Sequence, residues 1–284
     1  EFTLACDHRC LHCGPRAGLA RPDELTTDEA LRLVDDLADM GVGEVVLIGG
    51  EAYLRNDFLL VIRRIRERGM TCSLTTGGLG LTKTRADAMV EAGVESVNVS
   101  IDGLEASHDF VRNQAGSWRR AFEALGHLRA AGCRLATNTQ INQRSRHELE
   151  ALLPLLADAG IWAWQLQITC PHGNAVEHAD LVLQPYMYLP LFDVLRRLSD
   201  ACRERGVTLW PGNNLGYFGP HEHALRKQQK QYSGHFTGCE AGRYTIAIES
   251  NGVIKNCPSL SGPANSSGSI REHSLRELWD APPM

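Results

Sequence analysis

Cys6, Cys10 and Cys13 stand in the run Cys6-Asp7-His8-Arg9-Cys10-Leu11-His12-Cys13, a C-x3-C-x2-C spacing that directly follows the short apolar segment Phe2 to Ala5. Three thiolates on one tight loop are a ligand set for three irons of a cubane 4Fe-4S cluster. The fourth iron is then left without a protein ligand and open to another molecule. Two plainer readings use the same residues: a structural zinc site joining cysteine with His8 or His12, and reduced cysteines without metal. A zinc ribbon normally carries a second pair at similar spacing and does not lead into a long β/α cycle.

Other residues have the chemistry of a ligand wall. In Ile48-Gly49-Gly50-Glu51-Ala52, at a strand end, two glycines let backbone groups approach a ligand closely, and Glu51 is suited to an ammonium group. Thr75-Thr76-Gly77-Gly78 and Asn98-Val99-Ser100-Ile101-Asp102-Gly103 end the next two strands, and alternation puts Asn98, Ser100 and Asp102 on one face. Asp102 also fits a turn residue capping the following segment. Arg112 is suited to holding a carboxylate with two parallel hydrogen bonds. Asn138, Gln140, Gln165 and Gln167 are polar residues in otherwise apolar strands and need partners, either ligands in a lumen or each other in the core.

Near the carboxyl end, Cys239 and Cys257 make a C-x12-G-x4-C pattern around Asn251-Gly252, a strong hairpin signal between Tyr244 to Glu249 and Val253 to Lys255. Two thiolates at the base of a hairpin can begin a second cluster site. Cys72, Cys133, Cys170 and Cys202 lie in strand or helix contexts where a buried free thiol is the default, although Cys170 falls at a strand's carboxyl end.

The elements that must position these residues repeat. Helical periodicity over Thr27 to Met40, Asp57 to Arg68, Lys83 to Ala92, Trp118 to Ala131 and His147 to Ala159 alternates with strand-like runs Val45 to Ile48, Thr71 to Thr76, Ser96 to Ile101, Arg134 to Gln140 and Trp162 to Thr169. Counting Phe2 to Ala5 as a strand gives six. Gly41, Gly69, Gly93, Gly132 and Gly160 each fall between a helix and the next strand, where a left-handed residue ends the helix. Six parallel strands can form an open doubly wound sheet or a partial barrel, and the pattern alone does not choose. In both, chemistry sits at the carboxyl ends of the strands. A longer helix, Gln184 to Arg205, leads to a Gly, Asn and Pro-rich loop from Trp210 to Gly219 and the polar stretch Arg226 to Gln231.

The 284 residues, 43% hydrophobic and 22% charged, are enough to bury a large core. The net charge of -5 and the absence of any long basic run argue against a nucleic-acid partner. No stretch reaches the roughly 18 uninterrupted apolar residues of a membrane span, so the protein is expected to be cytoplasmic with no membrane partner. Nine cysteines do not fit the disulfide framework of a short secreted domain, and thiolates for metal fit better. The sequence opens inside a strand and closes just after a helical segment. It is therefore expected to be trimmed at both ends, with cluster ligands among the residues outside it.

The cysteine triad, Gly49-Gly50-Glu51 one β/α unit later and the β/α repeat together resemble the radical S-adenosylmethionine (radical SAM) superfamily, over about Phe2 to Trp210. The resemblance implies an α/β fold, a partial (β/α)6 barrel, in which the open iron binds the amino and carboxylate groups of S-adenosyl-L-methionine. An electron from the cluster then gives methionine and a 5'-deoxyadenosyl radical that abstracts a substrate hydrogen. By the same resemblance, Gly49, Gly50 and Glu51 take the methionine amino group, with Ala52 where many relatives have proline. Ser100, Asp102, Arg112, Asn138 and Gln165 belong to the cofactor wall, and His12 packs near the adenine.

The stretch from His108 to Ser117 resembles relatives that modify peptides. Cys239, Cys257, Gly268-Ser269-Ile270 and Ser274 to Trp279 resemble a SPASM or Twitch extension, which carries one or more auxiliary iron-sulfur clusters. The implied organisation is a core over 1–210, a bridge over 211–238 and an auxiliary-cluster module over 239–284, incomplete at Met284. The implied function is hydrogen abstraction from a peptide or protein, such as a ribosomal precursor peptide, with a flavodoxin or ferredoxin as reducing partner. The rivals are the same chemistry on a small molecule, an aminocyclitol or a tetrapyrrole side chain, and a noncatalytic iron-sulfur electron carrier or redox sensor. An electron carrier needs no cofactor pocket, so Gly49 to Glu51 and the glutamine-bearing strands speak against it.

Overall fold

The computed structural model describes residues 1–212, 215, 219–227, 239–260 and 263–281. Helices and strands alternate: α1 Thr27–Asp39, β1 Glu44–Leu47, α2 Phe58–Glu67, β2 Thr71–Thr76, α3 Lys83–Ala92 and β3 Ser96–Ser100. Then come α4 Glu105–Arg112, α5 Ser117–Ala130, β4 Arg134–Ile141, α6 Leu149–Asp158, β5 Ala163–Ile168, α7 Tyr188–Glu204, β6 Thr208–Pro211 and α8 Glu222–Arg226. Local chemistry sets several of these boundaries. Thr26 and Glu29 form a reciprocal capping box at the start of α1, and the five helix-ending glycines all adopt left-handed backbone.

All six strands pair in parallel in the order β1-β2-β3-β4-β5-β6. A doubly wound sheet must reverse its strand order to put helices on both faces. Strictly sequential order instead places every right-handed crossover on the same face, which is the winding of a barrel. Among the described residues β1 and β6 do not pair, so the barrel stays open along one side.

Two expectations need correction. The segment Phe2 to Ala5 is not a strand of this sheet: it makes isolated bridges, Thr3 with Gly49 and Ala5 with Gly18. The sixth strand is Thr208–Pro211, which runs from unassigned residues into the expected loop from Trp210 to Gly219, where Pro211 and the following glycine and asparagines mask a four-residue strand.

The two sheet faces differ. Cys72, Leu74, Val97, Val99, Leu135, Trp164, Leu166 and Leu209 are almost fully buried in one core with the helices. The opposite, inner face carries rows fixed by register: Thr75, Asn98, Ala136 and Ala163 in one, and Ser100, Asn138, Gln165 and Trp210 in the next. Gln140 and Gln167 follow.

A second, antiparallel sheet has the order β7 Ala247–Ile248, β8 Val253–Lys255, β9 Ser266–Ser269, and α9 Leu275–Trp279 follows it. The Asn251-Gly252 hairpin is present but shorter than expected. This sheet meets the barrel through Leu25, whose N–H donates to the Ser250 carbonyl at 2.7 Å. Arg271 adds to the contact by donating to both Glu29 carboxylate oxygens, at 2.7 and 2.9 Å. Much of the expected bridge over 211–238 lies outside the described residues, including most of the polar stretch from Arg226 to Gln231. Among the described residues no helix is long and apolar enough to cross a membrane.

Candidate functional site

The cysteine loop is tied down on three sides. Behind it, the Gly50 N–H donates to the Thr3 carbonyl and the Glu51 N–H to the Ala5 carbonyl, both at 2.7 Å. A Cβ on Gly50 would stand 2.0 Å from the Ala5 oxygen, and one on Gly49 2.3 Å from the Thr3 oxygen, so both must lack a side chain. On a second side, the Leu11 N–H donates to the Val111 carbonyl at the end of α4. On the third, the turn after β5 closes over the loop: Asn174 donates its backbone N–H to the Cys13 carbonyl and its Nδ2 to the Cys10 carbonyl, each at 2.9 Å. No motif in the sequence marks Asn174 for this role, because the contact joins segments 164 residues apart.

All three thiols are free, with Cys10 buried and Cys6 and Cys13 half-buried. The Cys6 sulfur accepts the His8 N–H at 3.4 Å, and the Cys13 sulfur accepts the Ala17 N–H at 3.3 Å. Burial pushes the Cys6 thiol up to about 12 and the Cys10 thiol up to about 11, with Arg112 opposing the shift at Cys10. Metal binding there must therefore release protons.

Cys6, Asp7, His8 and Glu51 also bring potential ligand atoms within 4.8 Å of one another. The last three of these are committed elsewhere. Asp7 takes His8 on one oxygen and the Tyr53 hydroxyl on the other, while Glu51 accepts the Thr76 hydroxyl at 2.5 Å and the Gly77 N–H at 2.6 Å. Both ring nitrogens of His8 are engaged as well, by Asp7 and Ser117. A zinc site using His8 would have to break this network, whereas the three cysteine thiols form no disulfide. Their donor set fits an iron-sulfur cluster.

Beside the loop lies a buried polar network. The backbone N–H of Asp102 donates to His108 Nδ1, so the His108 proton sits on Nε2 and donates to the Ser117 hydroxyl at 3.0 Å. That hydroxyl in turn donates to His8 Nε2 at 3.2 Å, and His8 Nδ1 donates to Asp7 at 3.1 Å. Burial, helped by the nearby Arg112 cation, pulls His108 down to about 3 and keeps it neutral. Burial opposes ionisation of Asp102, but Arg112 and His12 overcome it and hold the carboxyl well below the usual range.

The sequence-predicted residues fall into four groups. Cys6, Cys10, Cys13, Gly49, Gly50 and Glu51 meet around the loop. Asp102 gathers Arg112 at 2.7 Å and His12 Nε2 at 3.3 Å, and Arg112 Nη1 lies 3.8 Å from the Cys10 sulfur. Arg112 thus uses Nε on a carboxylate of its own chain. His12 Nδ1 is buried and has no hydrogen-bond partner among the described residues.

Ser100, Asn138 and Gln165 share one row of the inner sheet face. Among the described residues Asn98 and Asn138 each leave a buried side-chain oxygen unpartnered, while Gln140 donates to Gln167 at 2.6 Å. Cys239 precedes β7 and Cys257 follows β8 in the sequence, exposed and half-buried respectively. Cys170 is exposed, against the expectation of a buried thiol, while Cys72, Cys133 and Cys202 are buried. Ser117, His108 and His8 were not singled out from sequence as a linked set, since their contact spans 109 residues and follows no local spacing.

Comparisons with known proteins bear on the family and the fold. The family described as the Radical SAM superfamily matches residues 1–156. An AdoMet-dependent heme synthase from Nitratidesulfovibrio vulgaris is 26% identical over 98% of this chain and 77% of its own length. A PqqA peptide cyclase from Methylocella silvestris is 25% identical over 100% of this chain and 73% of its own. In fold, SuiB from Streptococcus suis, solved bound to S-adenosylmethionine, superposes with a TM-score of 0.80 at 17% identity. That superposition covers 99% of this chain but only 64% of SuiB. A matched family over more than half the sequence and a shared open-barrel fold lead to one conclusion: the chain belongs to the radical SAM superfamily and is a radical SAM enzyme.

Proposed function

We propose that this enzyme abstracts hydrogen from a peptide or protein substrate. The observation that carries this reading is the chemistry of the inner sheet face. Asn98, Asn138, Gln140, Gln165 and Gln167 line it with neutral carboxamides, each offering a donor and an acceptor. Peptide amides offer the same pair in return. Among the described strand residues, the one cation on that face is Arg134, at the amino end of β4, where its guanidinium stacks 3.6 Å over the Trp162 ring. A substrate carrying several carboxylates, such as a tetrapyrrole, calls for cations at the strand ends instead.

In this reading Cys6, Cys10 and Cys13 hold a 4Fe-4S cluster with an open iron. Bound there, the cluster supplies the electron that cleaves S-adenosyl-L-methionine and so provides the radical for hydrogen abstraction. The chain's own residues position the partners. Gly49 and Gly50 keep the space beside the loop free of side chains, Asn174 fixes the loop from above, and the row Ser100, Asn138 and Gln165 gives hydrogen bonds to the cofactor wall. His12 Nδ1 is a buried nitrogen with capacity left for the adenine. Cys239 and Cys257 supply ligands to an auxiliary cluster, and a flavodoxin or ferredoxin delivers electrons.

The relatives support a second reading. The AdoMet-dependent heme synthase matches nearly the whole chain, which favours a tetrapyrrole side chain as substrate. SuiB has also been solved bound to its precursor peptide SuiA, which favours a peptide. Incubating the reduced enzyme and S-adenosyl-L-methionine with short peptides encoded beside its gene, or with iron coproporphyrin, separates the two. A mass change in a peptide, matched by 5'-deoxyadenosine, is the expected result. A side-chain change in the porphyrin alone overturns the peptide reading.

A further inference from the structure

We propose that Arg112, held in place by Asp102, sets the reduction potential of the cluster on Cys6, Cys10 and Cys13 by putting a permanent cation against the Cys10 sulfur. The inference rests on the cluster assignment above. The three sulfurs have unequal surroundings. Those of Cys6 and Cys13 accept backbone N–H groups, which are neutral dipoles. The Cys10 sulfur instead faces the Arg112 guanidinium, with Nη1 at 3.8 Å. Cys10 and Arg112 are each only 8% exposed, so little solvent screens the charge.

The placement of Arg112 is fixed from both ends. Its Nε donates to Asp102 Oδ2 at 2.7 Å, which turns Nη1 toward the sulfur. Asp102 is in turn held by the Gln140 N–H on its other oxygen, at 2.9 Å. The residue before Arg112, Val111, accepts the Leu11 N–H directly beside Cys10, so the end of α4 moves with the cysteine loop. A guanidinium does not lose its proton in proteins, so this field is constant.

Reduction of the cluster adds one electron from an external donor and neither forms nor breaks a bond. A buried cation at a ligand sulfur stabilises the reduced form, and contacts to cluster sulfurs are a recognised control of potential. Asp102 opposes this as an anion but sits behind the guanidinium, so the positive end of the pair faces the sulfur.

The test is a redox titration, followed by electron paramagnetic resonance, of the anaerobically reconstituted full-length protein with dithionite as donor. It reads the signal that changes when S-adenosyl-L-methionine is added. At the parent's midpoint Arg112→Met should show a reduced-to-oxidised ratio at least about tenfold lower, a fall of about 59 mV for one electron. Arg112→Lys should fall less, and Asp102→Asn, which keeps the cation and removes the anion, should rise. An unmoved midpoint in Arg112→Met overturns the inference. If that variant takes up no iron, Asp102→Asn decides, and a midpoint equal to or below the parent's overturns it. A parent without any such signal overturns the cluster assignment as well, whereas a parent signal with unmoved variants overturns this inference alone.

Discussion

Replacing Gly50 by alanine should detach the segment that carries the cysteine loop. The new Cβ would stand 2.0 Å from the Ala5 oxygen, 2.6 Å from its carbonyl carbon and 2.9 Å from that of Leu4. Real contacts of this kind stay above 3.0 Å, so Ala5 must retreat by about 1 Å or more. All of the atoms met are backbone, and no side-chain rotation relieves the clash. The retreat stretches both 2.7 Å bonds from Gly50 and Glu51 to Thr3 and Ala5 beyond useful length. Losing two hydrogen bonds at about 1 kcal/mol each, plus about 1–3 kcal/mol of overpacking, gives about 3–5 kcal/mol. For a chain of this size that is a fall of roughly 6–20 °C in Tm.

Ala5 directly precedes Cys6, so iron uptake should fall with it. The assay is calorimetry of the apoprotein and iron content after anaerobic reconstitution, with Gly126→Ala as control. Gly126 lies in α5 with nothing among the described residues within 4 Å of its would-be Cβ, and alanine there should be neutral or slightly stabilising. A Gly50→Ala protein with the parent's Tm and iron content would refute the idea that these glycines carry the loop.

Three further outcomes follow from the same structure. Hydrogen bonds from Arg271 and Thr26 hold the Glu29 carboxyl at about 2, below its ordinary 4.5. The stability this contributes is present above about pH 4.5 and is lost as pH falls through about 2, so the urea-midpoint gap between parent and Arg271→Ala should close over that window. A gap that stays constant down to pH 2 would contradict the pairing. Ser117→Ala leaves the buried His108 Nε2–H without an acceptor and should cost about 1–3 kcal/mol; an unchanged urea midpoint would show that the two imidazoles do not depend on the hydroxyl. Cys239→Ala with Cys257→Ala should lower iron and sulfide counts by about one cluster while sparing cofactor cleavage, and equal counts in both proteins would remove the auxiliary site.

The β/α alternation was legible because its signals are local, whereas the choice of a barrel over an open doubly wound sheet came only from the family resemblance. Helical periods end at left-handed glycines such as Gly93, φ 109°, and apolar runs supply the strands. The cysteine spacing is local too, as is the Asn251-Gly252 turn. Other features depend on tertiary contacts that leave no pattern. Strand Thr208–Pro211 is four residues long and gains its identity from pairing with β5. Phe2 to Ala5 has strand composition, yet it meets Gly49 to Glu51 as a short bridge rather than a full ladder. The carboxylate partner of Arg112 lies in the same chain, ten residues upstream, and its closeness to Cys10 requires α4 to dock on the cysteine loop. His8, Ser117 and His108 share one hydroxyl only after the barrel has formed.

The most direct test of the central claim is cofactor cleavage by the protein with Cys6, Cys10 and Cys13 all replaced by alanine. With dithionite and S-adenosyl-L-methionine, the reconstituted parent should form methionine and 5'-deoxyadenosine in equal amounts. The variant should form neither and should lack about four irons. Cleavage in the variant at the parent's rate would contradict the assignment of this loop as the seat of the chemistry.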